Sequence, residues 1–72
     1  MALVKVTLPA ARKNANLSQK DLAKICGVSE STVYNWENGK SEPTVTQAKE
    51  ISKATSIPLD CIIFLKSNTV KP

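Results

Sequence analysis

Histidine is absent from this chain, and cysteine occurs only as Cys26 and Cys61. Two thiols without a histidine make no credible zinc set, so no metal and no cofactor are expected. Stapled extracellular domains of this size carry more cysteine, so both thiols are read as buried on apolar helix faces in a reducing cytoplasm. Glycine is confined to Gly27 and Gly39, too few for a phosphate-cradling loop, and no serine lies in a nucleophile-elbow context. An enzyme is therefore not expected. One Trp, one Tyr and one Phe give little to stack on loose bases, which argues against a single-stranded RNA binder. The longest apolar run, Cys61 to Leu65, is far short of the roughly 20 residues that cross a bilayer, and Lys5 and Pro9 break the apolar start. Neither export nor a membrane span is expected.

What remains is a chain of 72 residues, 42% apolar and 22% charged, an ordinary globular balance for one domain over residues 1–72. Its ten basic and six acidic side chains give a net charge of +4, which suits contact with a polyanion. Charge alone does not identify that partner; the positions of the polar groups must.

Capping signals divide the chain. Met1 to Val6 alternates apolar and polar residues but has no second strand signal, so it is read as an arm on the first helix. Thr7 caps a helix with Pro9 in its first turn, ended by Asn14 to Asn16. Ser18 and Asp21 have capping-box spacing, opening a helix over 19–26 that buries Leu22, Ala23 and Cys26 and closes at Gly27. Ser29 caps a third helix to about Glu37, stopped by Asn38 and Gly39. Val33 and Trp36 face inward there, leaving Glu30, Ser31, Tyr34, Asn35 and Asn38 as an outward polar stripe. Trp36 is accordingly a core anchor rather than a base-stacking platform. A second box, Thr44 with Gln47, opens a fourth helix whose inward face is Val45, Ala48, Ile51 and Thr55. Pro58 leads into a short fifth helix over 59–65, and 67–72 reads as a loose tail. The expected fold is all-α, a compact five-helix bundle with its core over about residues 8–65.

The segment Leu17 to Lys40, LSQKDLAKICGVSESTVYNWENGK, joins a capped helix, a tight Gly27 turn, a second capped helix and a basic loop. It resembles the Xre family of phage repressor and Cro proteins, the lambda-repressor-like helix-turn-helix domains, with a match over about residues 8–65. The resemblance implies a sequence-specific regulator of transcription, of phage or prophage repressor or Cro type, bound to double-stranded DNA. A major groove about 12 Å wide admits one helix, and the amides opening the preceding helix can clasp the backbone beside it.

By that resemblance Glu30, Ser31 and Asn35 lie nearest the base edges, with Ser29, Thr32 and Tyr34 beside them and Gln19 anchoring the backbone. Asn35 can bond adenine twice, and Glu30 can accept from a cytosine amino group or act on the amides of its own helix terminus. Lys40 and Ser41 look like the family's phosphate contacts. Arg12 and Glu37 resemble a pair that joins the first helix to the end of the recognition helix in some relatives. Asn16, and Thr55 with Ser56, depart from the pattern, because Gly is usual in those turns. A homodimer on a pseudo-palindromic operator is expected, formed through Ile57, Leu59, Ile62 and Ile63, without a small-molecule ligand or a separate sensing domain. The competing reading is a protein-interaction module on the same scaffold, an antitoxin or adaptor.

Overall fold

Thr7, Ser18, Ser29 and Thr44 all have extended backbones, and each uses its side-chain oxygen to accept from an amide three residues ahead. Each satisfies a helix N–H that has no intrahelical partner, so a helix starts after each of them. The computed structural model describes residues 5–64, and along them these caps open α1 (Leu8–Asn14), α2 (Gln19–Cys26), α3 (Glu30–Glu37) and α4 (Val45–Thr55). Two of the caps are reciprocal. The Ser18 amide donates to the Asp21 carboxylate at 2.9 Å, and the Thr44 amide donates to the Gln47 side-chain oxygen at 2.9 Å.

Three helices stop by one device. Leu17 N–H donates to Arg12 O, Val28 N–H to Ala23 O and Lys40 N–H to Asn35 O, five residues back in each case. An inner bond from the preceding residue accompanies each, which is the Schellman arrangement, with a left-handed residue at the pivot. Gly27 at φ 72° and Gly39 at φ 75° adopt that conformation at little steric cost. Asn16 at φ 61° stands at the third pivot, and Ser56 at φ 60° ends α4. These are turns where Gly is usual in the family pattern; the left-handed geometry is made there with Asn and Ser instead.

The helices close around Leu8, Leu22, Ala23, Val33, Trp36, Ile51 and Ile62, with Leu17, Val28, Ile57 and Phe64 packed at the margin. Full burial of a side chain the size of Leu8, Leu22 or Ile51 contributes about 1.5 to 3 kcal/mol relative to leaving it in water. Packing is densest between α2 and α3.

The C-terminal segment differs from expectation. In place of a helix over 59–65 there is a single 3-10 turn, Leu59–Cys61, followed by β2 (Ile62–Ile63). Ile62 and Ile63 pair in parallel with Val6 and Thr7 of β1 (Val6–Thr7). β-branched Ile and Val side chains suit a pleated surface, and Ile62 enters the core there at 6% exposure. The arm expected to lack a strand partner thus has one from the other end of the chain. Residues 1–4 of the arm and Leu65, with the tail after it, lie outside the described residues.

Two smaller expectations change. Val45, expected inward, is 70% exposed as the first residue of α4, while Ala48, Ile51 and Thr55 form the buried face. Cys61 is buried but Cys26 only partly so. Burial and the nearby Glu50 carboxylate both push the Cys26 thiol pKa upward, which keeps it a weak nucleophile.

The Asp21 carboxyl is held below its ordinary pKa, first by the Ser18 amide, then by the Ser18 hydroxyl, with help from Lys24 and Lys20. A depressed folded-state pKa adds stability that is present above the unfolded value, near 3.9, and disappears as pH falls through the folded value. The Tm difference between the native chain and Asp21→Asn is expected to be largest near neutrality and to shrink below about pH 4. Thermal unfolding followed by circular dichroism across that range checks it; a difference independent of pH would remove the carboxylate from the cap.

Candidate nucleic-acid interface

α3 has two unlike sides. Val33 and Trp36 are buried in the core, while Glu30, Ser31 and Tyr34 are exposed and Asn35 is half-buried. Asn38, just past the helix end, is exposed and donates its side-chain amide to Tyr34 O at 2.8 Å. The outward side is therefore a strip of hydroxyl, amide, carboxylate and phenol groups on a rod eight residues long. That residue chemistry can meet base edges by hydrogen bonding, and the buried side supplies the hold.

At the N-terminus of α3 the hydroxyls are partly engaged with one another. Ser29 Oγ accepts from Thr32 N at 3.2 Å and lies 2.9 Å from Thr32 Oγ1 and 3.2 Å from Ser31 Oγ. Ser29 and half-buried Thr32 thus serve the cap, Ser31 shares its hydroxyl with Ser29, and exposed Glu30 and half-buried Asn35 lie outside this hydroxyl cluster. At the other end, Lys40 is exposed and Ser41 half-buried in the loop that leaves α3.

A buried ion pair ties the rod to the body. Arg12 Nε donates to Glu37 Oε2 and Arg12 Nη2 to Glu37 Oε1 at 3.2 Å, a two-point fork in which both residues are 8% exposed. Arg12 Nη1 also donates to Leu17 O at 2.9 Å, fixing the turn before α2. The same carboxylate accepts from Gln19 Nε2 at 2.9 Å. Gln19, assigned a backbone-anchoring role at the start of α2, is therefore also held by the end of α3. Sequence reading identified each of these three residues but not the bond between Gln19 and Glu37; the available signal was that Gln19 follows the Ser18 cap directly.

Elsewhere, a shallow apolar recess of about 300 Å³ lies between the start of α4 and the C-terminal segment, lined by Pro43, Val45, Ala48, Leu59 and Phe64 among others. Among the described residues no three His, Cys, Asp or Glu side chains group as metal ligands, and no helix is long and apolar enough to cross a membrane.

Against known proteins, the helix-turn-helix family model matches residues 10–60, from within α1 into the 3-10 turn. The chain belongs to that family. Relatives agree with the placement: it is 38% identical over 53 residues to the HTH-type transcriptional activator BcrR of Enterococcus faecalis, covering 74% of this chain and 26% of that one. It is 36% identical over 53 residues to the uncharacterized HTH-type transcriptional regulator MJ0272 of Methanocaldococcus jannaschii, covering 74% and 80%. The chain thus spans about a quarter of the length of the first of these relatives and most of the second. No solved structure matches it.

In this helix-turn-helix domain the ion pair is the clearest target for mutation. Removing one partner of a buried pair leaves the other charge uncompensated, so Glu37→Ala and Arg12→Ala are each expected to cost about 3 to 5 kcal/mol. The joint replacement Arg12→Met with Glu37→Leu is expected to cost much less, because neither charge is then stranded. Chemical denaturation of the three variants decides this; a double replacement as costly as the two single changes added together would show that the pair is not acting as a unit.

Proposed function

We propose that this domain is a sequence-specific reader of double-stranded DNA in a transcription regulator of repressor or Cro type, with α3 lying in the major groove. The observation that supports the reading most strongly is the two-sided character of α3: Val33 and Trp36 locked inside, Glu30, Ser31 and Asn35 left outward as hydrogen-bonding groups. An interface for a protein groove would instead be expected to carry an apolar stripe at those positions. One relative is named an HTH-type transcriptional activator and the other an uncharacterized HTH-type transcriptional regulator, which supports a role in transcription regulation, and the net charge of +4 suits a phosphate backbone.

In this reading Asn35 pairs with an adenine edge, Glu30 and Ser31 read neighbouring bases, and Ser29 and Thr32 form the cap that aims them. Gln19, Lys40 and Ser41 meet phosphates on either side and set register without reading sequence. Regulation follows from occupying promoter DNA, and the chemistry requires neither cofactor nor small-molecule ligand.

A pseudo-palindromic operator is met by two copies with their α3 helices one DNA turn, about 34 Å, apart. Ile62, expected at the dimer surface, is inside the core and does not serve that purpose. Half-buried Ile57, Leu59 and Ile63, with exposed Val45 beside the apolar recess, are the surface left for a second copy. Sedimentation of the protein with a selected duplex is expected to show two protomers per site; one protomer per site would dismiss the dimer while leaving the reader intact.

Selection of bound duplexes from a random pool tests the central reading. It is expected to return a defined motif, at one position of which Asn35→Ala relaxes the base choice at a cost of about 1 to 3 kcal/mol. Lys40→Ala is expected to weaken all sequences alike and to lower the salt slope by about one. A pool that emerges unenriched would reject sequence-specific binding.

A further inference from the structure

The stop at the end of α3 places two side chains together. Gly39, at φ 75°, and the bond from Lys40 N–H to Asn35 O at 2.9 Å fold the chain back over the last turn of the helix. Asn38 secures the same turn, donating both its backbone and its side-chain N–H to Tyr34 O, at 3.0 and 2.8 Å. As a result the Lys40 ammonium lies 5.9 Å from the centre of the Tyr34 ring, within the reach of a cation–π contact.

We propose that Tyr34 is a positioning residue for Lys40: its ring holds the ammonium at the edge of α3 where a DNA phosphate passes, so that Tyr34 governs affinity for all duplexes rather than the choice of a base. This rests on the reading of α3 as the groove helix, and it moves Tyr34 out of the group of residues beside the base readers. A lysine side chain is long and flexible, and ordering it on binding costs entropy; a ring already beneath it removes part of that cost. The aromatic contact is made through the ring face, leaving ammonium protons to donate to phosphate oxygens. Tyr34 is 48% exposed, so the pair forms at the surface, where its effect is modest and sensitive to salt.

The test is a double-mutant cycle on the full chain, with binding to a mixed-sequence duplex pool and to a selected duplex measured across a salt series. Tyr34→Ala is expected to weaken binding to both by about two- to fivefold, and that loss is expected to vanish in a Lys40→Ala background. Tyr34→Phe keeps the ring face and is expected to restore native affinity, which a lost phenol contact to a base would not allow. Loss confined to the selected duplex, or loss that persists without Lys40, would overturn the proposal.

A second measurement does not involve DNA. In the free protein the Lys40 side-chain methylene protons nearest the ammonium are expected to resonate upfield in the ring current of Tyr34, and to move to ordinary values in Tyr34→Ala. Their appearing at ordinary values in the native chain would remove the pairing itself. Native protein that binds no duplex while keeping the ring-current shift would reject α3 as a groove helix, and with it the phosphate role, while leaving the pair as a surface contact.

Discussion

One carboxylate, that of Glu37, collects donors from two other parts of the chain: the guanidinium of Arg12 on α1, in a two-point fork, and the side-chain amide of Gln19 at the start of α2. Glu37 is itself the last residue of α3. α3 is therefore tied to α1 and to the start of α2 by polar bonds at one end and held in the core by Val33 and Trp36. Apolar packing is nondirectional and tolerates small rotations, whereas a buried bidentate pair does not. On the proposed reading α3 must be aimed at a groove within narrow limits, and the ion pair supplies the part of that aim that oily contacts cannot.

With the rod held in this way, its outward side needs little further organisation. The Ser29 cap orients the first turn, the Gly39 stop turns the chain so that Lys40 meets Tyr34, and the amide, hydroxyl and carboxylate groups between them face water. On the proposed reading the helix ends are thus part of the DNA-facing surface as well as terminators. The parallel pairing of Val6 with Ile62 brings the two ends of the described chain together and seats Ile62 in the core.

Local chemistry made most of this legible. Ser18 with Asp21, Thr44 with Gln47, and the glycines at 27 and 39 act within a few residues of themselves, and α2 and α3 lie where those signals put them. The inward placement of Val33 and Trp36 followed from helical spacing alone. The fifth helix did not form because the segment after Pro58 is governed by a distant partner: Ile62 and Ile63 pair with Val6 and Thr7, a contact that no short window of sequence contains. Asn16 and Ser56 depart from the pattern, but whether they bend the turn or preserve it depends on backbone angles, and both adopt the left-handed form. Gln19 was singled out for contact with DNA, while its bond to Glu37 joins residues on two helices and could not be read from spacing.

On the proposed reading the outward side of α3 is the surface that meets DNA. Backbone amide shifts recorded while titrating the protein with a selected duplex test this most directly. The largest changes are expected at Glu30, Ser31, Tyr34, Asn35 and Lys40, with Gln19 at the start of α2 and little change along Val45, Ala48 and Leu59. Changes concentrated around the Val45 and Leu59 recess, with α3 unmoved, would contradict it.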